Sequence, residues 1–354
     1  MRADTLGDSI AQLLSSPDTF PLHDIAPWQE VIAYQLAHNP PLAAFYRHHG
    51  YTSPPASLEC LDAWPGISTS AFRLAPLHSL EGPPIRTFLT SGTSAGARGA
   101  HRRLNLSAYT RGAVSTFLSH MPPTPPNQPW LALVTDPAED PHSSLSFMID
   151  VLGRTLAPSP PRYLYHPSTG LDVATLHSLL SSPPPQGYTI FGTSLAFAHY
   201  LTSSPSPLPP LPPSSLVIDT GGTKGRRLHT TPETLRTQLS NHLGLPLDRF
   251  ASEYSMTELS SQAYLTPATR AEYHCPPWLR VATVDPTHGQ PLPHGQPGLL
   301  RFADLANTDS VAILQTHDLG VTSSRHRFTL RGRSPYSTPR GCSLVIDDLP
   351  PTDH

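Results

Sequence analysis

The stretch Thr90-Ser91-Gly92-Thr93-Ser94-Ala95-Gly96-Ala97-Arg98 follows a short apolar run, Arg86-Thr87-Phe88-Leu89, that reads as a strand. A helical pattern from Ser107 to His120 comes after it. Gly92 and Gly96 let backbone N–H groups turn inward around an anion. The hydroxyls of Thr90, Ser91, Thr93 and Ser94 add donors, and Arg98 adds positive charge. The G-K-[ST] ending of a Walker loop is missing, so this is not that motif. Taken alone, the stretch reads more readily as a plain glycine-rich turn, and its meaning depends on the rest of the chain.

Outward from the loop, strand and helix alternate. Trp130 to Val134, Tyr188 to Phe191 and Leu216 to Asp219 are short apolar runs expected to be buried strands. Ser143 to Leu152 and Leu195 to Leu201 read as helices between them. A further helix is expected to start at Pro232 and to end at Gly244. Before the loop, residues 7–47 read mainly as helix broken at Pro40 and Pro41, and residues 60–80 as a loop with short helical turns. After residue 275 the pattern changes to short strands: Leu279 to Val284, Gly298 to Phe302, Val311 to Leu314, Phe328 to Arg331 and Ser343 to Ile346. Alternation followed by β-rich sequence predicts an α/β body with a barrel-like part attached. Proline clusters fall at 122–129, 158–161, 183–185 and 205–213, between these elements, and read as rigid surface connections.

Three further stretches carry groups suited to a nucleotide. Asp219-Thr220-Gly221-Gly222-Thr223-Lys224-Gly225-Arg226 runs from a strand into a second glycine-rich turn, and it holds Lys224, the single lysine of the chain. It reads either as a tight surface turn or as a close backbone approach to a ligand, with Lys224 or Arg226 supplying charge. A lysine ammonium is a compact point charge on a flexible stem, which a guanidinium is not. Glu253-Tyr254-Ser255-Met256-Thr257-Glu258 sets an aromatic, a hydroxyl and a carboxylate close together. Tyr254 can pack at a base and Thr257 can bond a phosphate oxygen. Glu258 can hold Mg²⁺, an ion that favours one or two carboxylates plus substrate phosphates. Gln315-Thr316-His317-Asp318-Leu319-Gly320 reads as a turn in which Asp318 could accept from ribose hydroxyls.

Bulk properties remove other classes. A net charge of −3 gives no electrostatic case for nucleic acid or an anionic membrane. No apolar run approaches the roughly 20 residues of a membrane span. Met1-Arg2-Ala3-Asp4 opens without an apolar signal region, so a cytoplasmic protein is expected. Cys60, Cys275 and Cys342 make no paired motif, which argues against a disulfide framework or a cysteine-rich zinc site. The 19 histidines show no metal-ligand spacing; His101, just past the first loop, is the one that could serve as a phosphate-side donor.

The order T-S-G-T-S-x-G, Y-S-M-T-E, T-H-D-L-G and then Gly332-Arg333 resembles the adenylate-forming superfamily of acyl-CoA ligases, luciferases and peptide synthetases. Within it the chain is similar to the LuxE-like acyl-protein synthetases, the ligase component of bacterial bioluminescence fatty-acid reductase. That likeness rests on Ser143 to Met148, Thr220 to Arg226, Met256 to Gln262, Asp304-Leu305-Ala306-Asn307 and Arg340 to Leu344. It covers nearly the whole chain. The resemblance implies the large-domain fold of these enzymes, α/β subdomains plus a distorted β-barrel, over residues 1–333. Residues 334–354 would then be a shortened C-terminal segment, with the lid domain and its catalytic lysine largely absent.

The resemblance also implies roles. Thr90 to Arg98 would lie over the β- and γ-phosphates of ATP, with Gly221 and Gly222 in the second loop. Tyr254 would lie at the adenine, Thr257 at the α-phosphate and Glu258 at Mg²⁺. Asp318 would bind ribose and Arg333 would sit at the hinge. Lys224, or a partner, would replace the missing lid lysine. Cys342 would accept the acyl group as a thioester; a cysteine suits this because its thiolate is strongly nucleophilic. A buried structural cysteine is the other reading of Cys342, and Cys60 and Cys275 read as structural. Ser255, the Ser94-Ala95 pair, Arg98 and His317 depart from the superfamily pattern. The expected enzyme is an ATP-dependent ligase for a carboxylic acid, a fatty acid by family precedent, that passes the acyl group to a fatty-acid reductase-like or carrier protein. The alternatives are a binding protein that keeps the fold without turnover, and a coenzyme A- or carrier-directed ligase.

Overall fold

The computed structural model describes residues 3–79, 81–90, 98–204, 208–221, 231–269 and 272–334. In chain order, helices α1 (Ala3–Leu13), α2 (Ala26–His38), α3 (Pro40–His48) and α4 (Leu58–Ala63) precede strands β1 (Ile67–Ser68), β2 (Arg86–Leu89) and β3 (Ala100–Arg103) and helix α5 (Ser107–His120). Next come β4 (Trp130–Leu133), α6 (Ser144–Leu156), β5 (Arg162–Tyr163), β6 (Tyr165–His166), β7 (Gly170–Leu171) and α7 (Val173–Ser181). They are followed by β8 (Thr189–Thr193), α8 (Ser194–Ser203), β9 (Leu216–Thr220), α9 (Pro232–Leu243), β10 (Phe250–Tyr254) and β11 (Ala263–Leu265). The last strands are β12 (Tyr273–His274), β13 (Leu279–Val284), β14 (Pro297–Asp304), β15 (Ile313–Ser324) and β16 (Arg327–Arg333).

The chain divides into two compact units. The second comprises residues 117–255 and 263–271. Its strands pair in the order β11-β10-β9-β8-β4-β5, parallel except for β11. Nearly every residue of β4, β8, β9 and β10 is buried, as expected of parallel strands covered on both faces. On one face Leu131, Ile190 and Val217 form a core with Leu176 and Leu180 of α7, Phe197 and Tyr200 of α8, and Leu235 and Leu239 of α9. The predicted ends of α9 are present. Thr231 accepts from the Thr234 N–H, Pro232 stands in the first turn, and Gly244 closes the helix at φ 59°.

The first unit comprises residues 1–116, 256–262 and 272–354. Asn39 caps α3 and Pro40 opens it, so the two prolines that read as a break begin a helix. Strands β13-β14-β15-β16-β12 form an antiparallel sheet, with β1 added in parallel to β15. Register shifts at Leu299/Arg301, Leu319/Gly320 and Thr322/Ser324 bend it. This is the β-rich part expected after residue 275, but one expectation fails within it. Thr316 to Gly320 is not a turn; β15 runs straight through it for 12 residues. The glycine that suggested a turn meets a packing demand instead. A Cβ on Gly320 would stand 2.7 Å from the Thr329 carbonyl oxygen and 2.7 Å from Leu300 Cδ2. The expected strand Ser343 to Ile346 lies outside the described residues.

Candidate functional site

In the first unit the Thr-Glu turn is built from below. Residues 257–262 carry no apolar stripe that could hold them in place, and polar groups do so. The Asp304 carboxylate accepts from the N–H groups of Ser260 (2.8 Å) and Ser261 (2.9 Å) on one oxygen. Its other oxygen accepts from the Ser261 hydroxyl (2.6 Å) and the Ala306 N–H (3.1 Å). Burial raises the Asp304 pKa and these donors oppose the rise. The Asn307 amide donates to the carbonyls of Glu258 (2.8 Å) and Val311 (2.7 Å). His101 Nδ1 stands 2.6 Å from the Thr257 carbonyl. Arg103 Nη1 donates to Asn307 Oδ1 (2.8 Å) and to the Ser260 hydroxyl, and its Nε meets Asp309 at 2.8 Å with both side chains fully buried. Sequence reasoning found Met256 to Gln262 and Asp304 to Asn307 as separate motifs; the structure makes them one network.

This network presents the Glu258 carboxyl. Burial raises its pKa to about 7, the charges of Arg333 and Arg73 act to lower it, and Asp318 acts to raise it. Asp318 and Arg333 pair directly across β15 and β16, and Arg333 Nε donates to Asp318 Oδ1 at 3.0 Å. The next residue back along β15, His317, is on the opposite face by strand alternation. Its Nε2 stands 2.8 Å from the Ser70 hydroxyl. The histidine that departs from the superfamily pattern thus leaves the Asp318 face unchanged. Arg73, which sequence reasoning missed, comes from the 3₁₀ turn Thr69–Arg73.

Thr90 and Arg98 make local hydrogen bonds. The Thr90 N–H donates to the Gly99 carbonyl (2.8 Å), and the Gly99 N–H donates to the Thr90 hydroxyl (2.9 Å). Arg98 donates from Nε to the Thr90 carbonyl (2.7 Å) and from Nη2 to the Leu89 carbonyl (3.1 Å). They clasp the neck of the β2–β3 hairpin. Ser91, Gly92, Thr93, Ser94 and Gly96 lie outside the described residues, as do Gly222, Lys224 and Cys342. His101, a candidate phosphate-side donor by its position, is buried with both ring nitrogens engaged by Thr257 and Asn307. It is 1% exposed, and burial together with Arg103 lowers its pKa to about 3.

In the second unit the carboxyl ends of β8, β9 and β10 bring together polar groups. Tyr254 ends β10, buried, opposite Ala263 of β11. Gly221 follows β9, exposed, and among the described residues nothing lies within 4 Å of an added Cβ. Beside them stand two buried carboxyl groups that sequence reasoning did not single out. Asp219 accepts from the hydroxyls of Ser194 (2.9 Å) and Ser252 (2.6 Å), and burial raises its pKa. Glu253 accepts from the Thr220 hydroxyl at 2.5 Å. Burial raises its pKa to about 7, with Asp219 adding to the rise and hydroxyl hydrogen bonds opposing it. An acidic residue closing an apolar strand such as Leu216-Val217-Ile218-Asp219 was the available signal.

Among the described residues no group of three or more His, Cys, Asp or Glu side chains could hold a metal ion, and no helix is long and apolar enough to cross a membrane. Cys60 is exposed and Cys275 buried, both as free thiols, and burial pushes the Cys275 thiol well up.

No family model matches the chain, and no curated protein does. Solved structures do. An open conformation of 2-hydroxyisobutyryl-CoA ligase in complex with 2-HIB-AMP and CoA superimposes with a TM-score of 0.67 at 17% identity, covering 87% of this chain and 68% of the ligase. The same ligase in its thioesterification state gives 0.66 at 17% identity, covering 94% and 69%. The chain therefore has the adenylate-forming enzyme fold, and it spans about two thirds of the length of that ligase.

Proposed function

We propose that this chain is a cytoplasmic ligase that joins a carboxylic acid to ATP as an acyl-adenylate and then passes the acyl group on, in the manner of the LuxE-like acyl-protein synthetases. The observation that carries the reading is the Glu258 carboxyl. It is buried, its pKa is raised to about 7, and it lies in the field of Arg73, Arg333 and Asp318 on a turn held by Asp304 and Asn307. A buried carboxyl whose ionised form is disfavoured gains when a cation binds it, which fits Glu258 to Mg²⁺. The ion would neutralise phosphate charge. The fold supports the same reading, because the ligase that shares it was solved with an acyl-AMP and CoA.

The substrate carboxylate attacks the α-phosphorus of ATP, the bond to the β-phosphate oxygen breaks, and pyrophosphate leaves. The Thr257 hydroxyl bonds an α-phosphate oxygen, and Asp318 accepts from the ribose hydroxyls with Arg333 behind it. Tyr254, with Gly221 and Gly222, would take the base. Residues 90–98, through Thr90, Ser91, Gly92, Thr93, Ser94, Gly96 and Arg98, would hold the departing phosphates, and Lys224 would add charge there. Such a site works by positioning and charge neutralisation. In the second half-reaction the Cys342 thiolate attacks the acyl carbon and AMP leaves. The resulting thioester then loads a reductase-like or carrier protein. In this reading residues 1–333 form the adenylating part and 334–354 the segment that carries the acceptor.

ATP–pyrophosphate exchange against a panel of carboxylic acids tests the reading, with fatty, aryl and amino acids included. Exchange with at least one acid is expected, falling by about a hundredfold or more in Glu258→Ala. ATP binding without exchange for any acid overturns it in favour of a non-catalytic binding protein. Intact-mass measurement with ATP and the active acid then asks where the acyl group goes. An adduct that persists in Cys342→Ser removes that residue from the scheme.

A further inference from the structure

His101 has no role in the scheme above, although it is 1% exposed and stands between the two segments assigned to ATP. It lies on β3, two residues past Gly99, whose N–H and carbonyl close the neck of the loop at Thr90. Its Nδ1 reaches the Thr257 carbonyl at 2.6 Å. A carbonyl only accepts, so Nδ1 carries the hydrogen. Its Nε2 faces Asn307 Oδ1 at 3.1 Å and Arg103 Nη1 at 3.5 Å. The Asn307 amide cannot be turned round, because its nitrogen is committed to the carbonyls of Glu258 and Val311. Arg103 supplies the hydrogen that Nε2 and Oδ1 share. The carbonyls of Thr257 and Glu258, consecutive in the chain, are thus each held by one side chain, His101 and Asn307, and both side chains meet Arg103. Phe72 closes the edge of the imidazole, ring centroids 5.5 Å apart and planes at 79°.

We infer that His101 is a positioning residue for adenylation: it ties the base of the hairpin at Thr90, Arg98 and Gly99 to the Thr257–Glu258 turn, so that this base and the turn hold one fixed spacing. This rests on the reading of the site given above. His101 acts here through its Nδ1–H donor to the Thr257 carbonyl and not through packing alone. An asparagine at 101 keeps an N–H donor near the Nδ1 position, whereas a leucine fills the same space without one. Both replace a neutral ring, so neither brings a new charge into the network.

The test measures exchange for the wild type, His101→Asn and His101→Leu with the acid that the panel identifies, after circular dichroism has shown both variants folded. Expected are a fall in kcat of about a hundredfold in His101→Leu with KM for the acid within threefold, and recovery to within about fivefold of wild type in His101→Asn. The ATP concentration giving half-maximal rate should rise in His101→Leu alone. If His101→Leu does not fold, His101→Gln takes its place, since its longer amide cannot donate at the Nδ1 position and the same loss is expected. An active wild type with His101→Leu or His101→Gln equal to it overturns the inference and leaves the adenylation reading standing. Loss that is equal in Leu and Asn variants also overturns it, because the donor is then not what counts. A wild type without exchange for any acid removes the reading and this inference together.

Discussion

Replacing Asp304 by asparagine exchanges one oxygen for an NH₂ and should release the Thr257–Ser261 segment. Each carboxylate oxygen accepts two hydrogen bonds: Ser260 N–H and Ser261 N–H on one, Ser261 hydroxyl and Ala306 N–H on the other. Asparagine can present its oxygen to only one of these pairs. With the oxygen kept on the Ser260 and Ser261 N–H groups, the Ser261 hydroxyl can turn to accept from the NH₂, and the Ala306 N–H is left facing a donor. One lost bond to a charged group at about 1.5–3 kcal/mol, with the other three weakened to neutral bonds, costs about 3–6 kcal/mol locally. A single denaturation curve averages over both compact units of the chain, so the better assay is amide hydrogen exchange at Ser260, Ser261 and Ala306. At 1.36 kcal/mol per decade, protection should fall by a factor of about 10² to 10⁴. Ser261→Ala, which removes one of the four donors, should lose roughly tenfold. Protection in Asp304→Asn within tenfold of wild type would refute the view that this carboxylate holds the turn.

Glu253 gives a pH dependence. Its folded-state pKa of about 7 is above the ordinary 4.5, so the unfolded chain loses this proton first as pH rises. Stability is therefore lost between about pH 4.5 and 7, by about 3 kcal/mol as an upper figure. Glu253→Gln, whose amide oxygen can still accept from Thr220, should flatten that slope; a slope unchanged in thermal unfolding from pH 5 to 8 would count against it. Arg333 is 77% exposed in its ion pair with Asp318, so Arg333→Ala should change stability by less than about 1 kcal/mol. If Arg333 serves the nucleotide, the half-saturating ATP concentration should nonetheless rise in the same variant, and an unchanged value would confine it to the surface pair.

The α/β unit was legible because its strands are buried on both faces. Trp130 to Val134, Tyr188 to Phe191 and Leu216 to Asp219 read as apolar runs whatever their neighbours do, and β4, β8 and β9 form there. The first unit was harder because polar groups organise it. Ala100-His101-Arg102-Arg103 has no apolar run, yet it is strand β3, and Arg103 is fully buried against Asp309. A count of apolar periodicity has no term for a buried ion pair joining positions 103 and 309. Thr316 to Gly320 was misread for a related reason: Asp and Gly signal turns, but here Gly320 makes room for the neighbouring strand. Motif order named the residue types proposed for the site. Their partners, Arg73, Asn307 and Asp304, depend on folding that brings distant segments together.

The neck at Thr90 and Gly99 has a consequence for how such a site can change. Its four hydrogen bonds involve residues 89, 90, 98 and 99 only, so they fix the ends of the intervening segment independently of what it contains. The entropy of closing a chain segment grows slowly with length, about 0.6 kcal/mol for each doubling. The seven residues from 91 to 97 can therefore be exchanged, lengthened or shortened at little thermodynamic cost to the hairpin below. The hairpin is a fixed socket whose geometry is set by residues 89, 90, 98 and 99 alone, so the sequence between them can drift without loosening it.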